Sequence, residues 1–274
     1  MQITTLVENE VGKAGLLAEH GLSFLIETDN ETILFDTGQG CALIHNAEEM
    51  GVDLSKVNKI VLSHGHADHT GGLKDALKAC GGANVYAHPG AFDEKYSVAK
   101  CQRRSIGIPY TIESLELMGA KLHLSKEPVQ IAPGIQTTGE IPRVTDFEVI
   151  PDRLCTIKEN NLIKDELKDD LSLIIQGKNG ILVVFGCGHS GIINTLKKVD
   201  QLMHNTYISM VIGGIHLIDA SKGRIDKTIQ ELDKFNIDKM GLCHCTGKLA
   251  TIRLYEHFGG KVFFNHVGTN LEWY

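Results

Sequence analysis

No apolar run in this sequence approaches the roughly 18–20 residues that cross a bilayer, so no membrane partner is expected. The opening MQITTLVENE lacks a basic start followed by an apolar stretch, so no secretory signal is read there. Basic surplus is missing too. The formal net charge is -7, which argues against nucleic acid as a partner. The seven cysteines are odd in number and irregular in spacing, a pattern of reduced thiols in a cytoplasmic protein and not of a disulfide framework. There is no G-x-S-x-G turn, no dinucleotide fingerprint and no P-loop, so serine-based covalent hydrolysis and nucleotide binding of those kinds are set aside. Low-complexity segments and short solenoid repeats are also absent.

What is present is an ordinary globular composition, 42% hydrophobic and 22% charged over 274 residues. That is enough chain for a substantial core, and residues 1–274 are read as a single domain. ITTLVE, LSFLIET and TILFDTG have strand composition, and CALIHNAEEMGV is helix-like. KIVLS is a short buried strand, ADHTGGLKDALKACGG one helix, and NVYAHP a strand. The middle is less regular. A lid or insertion is expected around 90–115, and RLCTIKENNLIKDELKDD reads as a solvated hairpin or loop. Regular alternation returns with two strands around GKNG, then SGIINTLKKVDQLM, ISMVIGG, RIDKTIQELDKF, KMGLCH, KLATIRLYEHF and KVFFN. This is α/β layering, with strand-rich halves covered by helices.

The chemistry is concentrated in SHGHADHTGG, residues 63–72, where His64, His66, Asp68 and His69 fall within six positions. In extended backbone, His64 and His66 project the same way. Asp68 and His69 stand where a helix begins, and the glycines let the backbone turn tightly. One cation can be held mainly by His64 and His66, a second by Asp68 and His69. Imidazole and carboxylate suit zinc, iron or manganese. The alternative is an N-capping Asp68 beside surface histidines, which the density of ligand-type residues disfavours.

His64-x-His66-x-Asp68-His69, with LFDTG and its Asp36 upstream, resembles the signature of the metallo-β-lactamase superfamily. The resemblance implies a four-layer αβ/βα sandwich with a one- or two-metal site on one edge. EHGLSFLIE, TGEIPR, FGCGHSGI, GGIHL and HCTG are similar to a branch named for dihydropterin-methyl-ribofuranosyl-aminobenzene phosphate synthases, many of whose members are called only metal-dependent hydrolases. It implies further ligands at His189 and His244, each following an apolar strand. Cys187 is either a thiolate ligand or a small buried cysteine. Cys243, Cys245 and His216 are the alternatives near His244, and His216 is also read as a catalytic group that hydrogen-bonds substrate. Relatives carry a histidine in the turn that here reads TTGEIPR, so either Glu140 contributes an oxygen ligand or His189 takes over that role. Asp36 is expected to orient a ligand histidine. His20, His45, His88, His123, His204, His257 and His266 have no ligand-type context, with a reservation for His20. Arg103, Arg104 and Arg143 are candidates for holding an anionic group.

Two divalent ions, zinc first with iron, manganese or magnesium as alternatives, would activate water and polarise a phosphoryl or carbonyl oxygen, with Asp68 steering the attacking oxygen. The expectation is a hydrolase of a phosphorylated or ester-like small molecule. Its alternatives are a transferase acting on a dihydropterin pyrophosphate and an aminobenzene ribofuranosyl phosphate, and a non-enzymatic metal-binding or redox protein. A homo-oligomer remains open.

Overall fold

Alternation along single strands sets the layers in the computed structural model, which describes residues 1–100, 102–204 and 207–273. In Ser23–Glu27, Phe24 and Ile26 enter one core and Leu25 another. In Gly180–Phe185, Leu182 and Val184 face the core that holds Phe24, whereas Ile181, Val183 and Phe185 face a third. Successive strand side chains point to opposite faces, so these sheets are covered on both sides.

The first sheet collects β1 (Gln2–Val7), β2 (Ser23–Glu27), β3 (Thr32–Phe35), β4 (Lys59–Val61) and β5 (Ala83–Ala87). Beyond β6 (Lys95–Ala99) and β7 (Gln102–Ser105) it gains β8 (Ala120–Leu124). The second sheet begins with β9 (Gln130–Ala132) and β10 (Ile135–Thr137). After β11 (Leu154–Lys158) and β12 (Asn161–Lys164) it continues with β13 (Ser172–Gly177), β14 (Gly180–Phe185), β15 (Ile208–Gly213), β16 (Ile237–Leu242) and β17 (Val262–Phe264). β18 (Asn270–Glu272) returns to the first sheet. The strand orders are β18-β1-β2-β3-β4-β5-β8 and β17-β16-β15-β14-β13-β10-β9.

Helices α1 (Leu43–Glu49), α2 (Ala67–Thr70), α3 (Leu73–Cys80) and α4 (Ile112–Leu117) belong to the first half. α5 (Ile192–Met203), α6 (Lys222–Leu232) and α7 (Lys248–Phe258) belong to the second. Leu43, Leu77 and Leu115 pack on the outer face of the first sheet. Leu196, Ile229 and Leu254 pack on the outer face of the second. Phe35, Val61, Leu173 and Val184 fill the space between the sheets. This is the four-layer αβ/βα sandwich.

Two expectations change. The single helix over ADHTGGLKDALKACGG is α2 followed by α3. The break lies at Gly71 and Gly72, where an added Cβ would stand 2.3 Å from Gln39 O and 2.1 Å from Thr37 O. The chain can pass the loop after β3 this closely only without side chains. The two irregular middle segments also join. β6, β7, β11 and β12 form a separate four-stranded sheet in the order β12-β11-β6-β7, with Leu154 opposite Ser97 and Cys155 opposite Tyr96. Lys95, on β6, is 2% exposed and anchors this sheet through Asp165 at 3.0 Å and Asp169 at 2.9 Å. Asp169 also accepts the Gly65 N–H at 2.8 Å. Cys101, inside the expected lid segment, lies outside the described residues.

Candidate metal centre

The loops that follow the parallel strands β3 and β4 of one sheet, and β14, β15 and β16 of the other, meet at one edge of the sandwich. Asp36 follows β3, His64 follows β4, Cys187 and His189 follow β14, His216 follows β15 and His244 follows β16. Ligand sites form beyond the carboxyl ends of parallel strands because the strands fix the loop ends and leave the tips free to converge.

One group contains nitrogen only. His64 Nε2 lies 2.9 Å from His66 Nδ1, which lies 3.2 Å from His189 Nε2. Nitrogens about 2.0–2.1 Å from a tetrahedral zinc stand roughly 3.3 Å apart, so the group is close to ligating spacing. A second group is mixed. His69 Nε2 is 3.2 Å from His244 Nε2 and 3.1 Å from Cys187 Sγ. Asp68 Oδ2 lies 3.5 Å from His244 Nε2 and 3.2 Å from His20 Nε2.

Proton placement prepares the ligating atoms. Asp36 is fully buried. It accepts the Ser63 N–H, the Ser63 hydroxyl and the His69 Nδ1–H, each at 2.7 Å. The Ser63 oxygen, its own hydrogen committed to Asp36, accepts from His64 Nδ1 at 2.9 Å. His244 Nδ1 donates to Asn9 Oδ1 at 2.8 Å, and its backbone N–H is held by the buried Glu8 at 2.6 Å. His64, His69 and His244 thus each have Nδ1 occupied, and Nε2 is left to face the cluster.

Electrostatics separates the two groups. Burial pushes His66 down to about 3, and burial together with neighbouring imidazoles lowers His64 and His189. These rings stay neutral, the form that offers a lone pair. Burial opposes charge at His69 as well, but Asp36 and Asp68 outweigh it and raise that ring to about 9. A metal there must displace a proton. Burial acts to raise Asp68, yet the charge of His69 and contacts with His20 and His244 hold it well below the ordinary carboxylate value.

Backbone strain gathers here too. Asp36, His216 and His244 all have positive φ, at 59°, 45° and 51°. Non-glycine residues hold such angles at a cost of order 1–3 kcal/mol each, met by the surrounding contacts. Among the described residues, His66 Nε2, His189 Nδ1 and both nitrogens of His216 are buried with no hydrogen-bond partner. A cluster of neutral imidazoles with unanswered nitrogens fits a metal centre and its ligands better than a self-sufficient polar core. A cleft of about 400 Å³ opens over it, lined by His20, His66, Asp68, Cys187, His189, His216, His244 and Cys245, and on the small-sheet side by Ser97, Arg104, Ser105 and Arg153.

Several expected site residues stand elsewhere. Glu140 faces His88 Nε2 at 2.9 Å and Lys126 at 3.9 Å, and it belongs to none of the candidate ligand groups among the described residues. The turn before it packs against residues 126–128, which turns the carboxylate away. Arg143 does not reach the cleft. It donates to His189 O at 2.9 Å and Leu167 O at 3.3 Å, bracing the loop that carries a candidate ligand. Asp170 holds the same loop through the His189 and Ser190 N–H groups at 3.0 and 2.9 Å. Arg103 stacks over Tyr96 at 4.1 Å from the ring centroid, whereas Arg104 lines the cleft. His20, with no ligand-type context in sequence, contacts Asp68. Arg153 enters the cleft only because β11 pairs with β6, which no local pattern signals.

The fold and this edge cluster define a class, and the family comparison agrees: the model for the metallo-β-lactamase superfamily matches residues 17–193, so the chain belongs to that superfamily and is an enzyme of it. The chain is 33% identical over 269 residues to the 7,8-dihydropterin-6-methyl-4-(β-D-ribofuranosyl)-aminobenzene-5'-phosphate synthase of Methanocaldococcus jannaschii, covering 94% of this chain and 92% of that one. It is 34% identical over 267 residues to an uncharacterised protein of the same archaeon, covering 97% and 98%. Among solved structures, Tm1679, described as a metal-dependent hydrolase of the β-lactamase superfamily, superposes with a TM-score of 0.86 at 29% identity, covering 100% of this chain and 99% of that one.

Proposed function

We propose that the chain is a metal-dependent hydrolase of a phosphorylated small molecule, with all of residues 1–274 serving one site. The observation that carries this reading is the convergence of overlapping ligand groups, one of nitrogen alone and the others mixed, at a cleft also lined by Arg104 and Arg153. His64, His66 and His189 would hold one divalent ion, and Asp68, His69 and His244 a second, with Cys187 beside it. Imidazole with thiol suits zinc and disfavours magnesium. Bound there, such ions acidify water and polarise a phosphoryl oxygen. Asp68, held by His20, orients the attacking water by accepting its hydrogen bond. His216, its ring nitrogens uncommitted, hydrogen-bonds the substrate or supplies a proton to the departing oxygen. Arg104 pairs with the substrate's anionic group. Free thiols at the centre accord with a reducing compartment, so we place the protein in the cytoplasm.

A second reading is supported by the full-length likeness to the archaeal synthase: a transferase that releases pyrophosphate from a dihydropterin pyrophosphate while joining it to an aminobenzene ribofuranosyl phosphate. One assay separates the two. Zinc-loaded protein is given phosphomono- and diesters, then dihydropterin pyrophosphate with and without the aminobenzene acceptor. Ester turnover without acceptor supports the hydrolase. Pyrophosphate release only when the acceptor is present supports the transferase.

A further inference from the structure

Two buried thiols reach the cluster from different strands. Cys187 follows β14 and Cys245 follows β16, and both line the cleft. The Cys245 thiol donates to the Cys187 carbonyl oxygen at 3.3 Å, a contact that metal binding would replace. The ligating atoms of Cys187, His244 and Cys245 all lie within 4.8 Å of one another. Given Zn–N near 2.0–2.1 Å and Zn–S near 2.3 Å, ligands of a tetrahedral zinc stand about 3.3–3.8 Å apart, so small rotations would close this set. The fold leaves space for the second sulfur. A Cβ on Gly214 would stand 2.6 Å from Cys245 Sγ, so glycine there admits the thiol. The backbone around it is fixed, because Ile218 N–H donates to Cys245 O at 3.1 Å. Cys243, two residues earlier, instead packs between the sheets against Asn265.

We propose that Cys245 is, together with Cys187, a thiolate ligand of the ion held by His244. The two metal positions then differ in kind, one bound by nitrogen alone and the other by His69, His244 and the two sulfurs, with the sulfurs in place of Asp68. This rests on the reading of the cluster as a metal centre. Soft ligands favour zinc and cobalt over manganese and magnesium, so the sulfur position is the more selective of the two.

Cobalt(II) substitution tests this without any substrate. Cobalt–thiolate bonds add charge-transfer absorption in the near ultraviolet, which imidazole and carboxylate ligands do not. The wild-type chain should show that band, Cys245→Ser should lose roughly half of its intensity per bound cobalt, and the Cys187→Ser/Cys245→Ser double variant should lose nearly all of it. Cys41→Ser, at an exposed thiol, should match the wild type. Bound cobalt with no such band, or an unchanged band in Cys245→Ser, overturns the thiolate assignment and leaves the metal centre standing. Failure of the wild type to take up cobalt overturns the metal centre and the assignment with it. Should Cys245→Ser not fold, X-ray absorption on zinc-loaded Cys187→Ser decides. A remaining sulfur shell near about 2.3 Å supports Cys245 as its source, and a shell of nitrogen and oxygen alone at about 2.0–2.1 Å overturns it.

Discussion

Asp36→Asn changes one atom at the buried support of the cluster. Asp36 Oδ1 accepts from Ser63 N, and Oδ2 accepts from both Ser63 Oγ and His69 Nδ1. An amide has only one acceptor oxygen. If that oxygen takes the place of Oδ2, the NH2 group faces the Ser63 N–H, donor against donor. If it takes the place of Oδ1, the NH2 group faces His69 Nδ1, and the ring must move its proton to Nε2, the atom aimed at the cluster. Backbone strain does not confuse the comparison, because asparagine tolerates the left-handed angle of Asp36. Loss of such a supporting contact typically weakens metal binding about 10–100-fold. That corresponds to about 1.4–2.8 kcal/mol. The metal-free chain should also lose about 1–3 kcal/mol of stability from the unpaired buried donor. Zinc competition against a chromophoric chelator measures the first effect, and denaturant unfolding after chelation measures the second. Zinc affinity equal to the wild type's would refute the role given to Asp36.

Lys95→Met leaves Asp165 and Asp169 buried without their cation and should cost about 3–5 kcal/mol by denaturant unfolding; a near-neutral result contradicts the anchoring role. Burial lowers the Lys95 value, but the two aspartates outweigh it and the net shift is upward. The stabilisation from Lys95 is therefore fully present below the ordinary lysine value and is lost only as pH rises through the raised folded value, so unfolding across neutral and mildly alkaline pH should show no loss from this group. Gly65→Ala should displace the His64–His66 loop, because the new Cβ would stand 2.0 Å from Ala91 O, and reduced zinc loading with about 1–3 kcal/mol of lost stability is the expected outcome. Arg143→Ala should lower stability and cut turnover of phosphorylated and neutral substrates by the same factor; a KM increase confined to phosphorylated substrates would instead restore a substrate-reading role.

Much of the fold was legible because its signals are local. The continuous apolar runs within SFLIE and ILVVF, and helical segments ending in glycine or polar turns, mark the halves of the sandwich without tertiary information. His64, His66, Asp68 and His69 were legible for the same reason, being four ligand-type residues in one short loop. The illegible parts depend on pairing between distant segments. The small sheet exists only because 95–97 pairs with 154–156, and that pairing brings Arg153 beside the cleft. The placement of Arg143 against backbone carbonyls was not legible, because a cation in a loop looks the same in sequence whether it binds a phosphate or a carbonyl. His20 drew only a reservation because its partner, Asp68, stands 48 positions away, a separation no motif spans.

The central claim is that these side chains hold two metal ions in separate ligand groups. The metal-to-protein ratio after zinc loading and desalting tests it most directly, measured on the wild type and on His189→Ala, which removes a nitrogen from the all-histidine group. The account predicts two zinc ions per wild-type chain and one in the variant, with the fold retained. A wild-type chain that binds no zinc, or a variant whose ratio equals the wild type's, would contradict it.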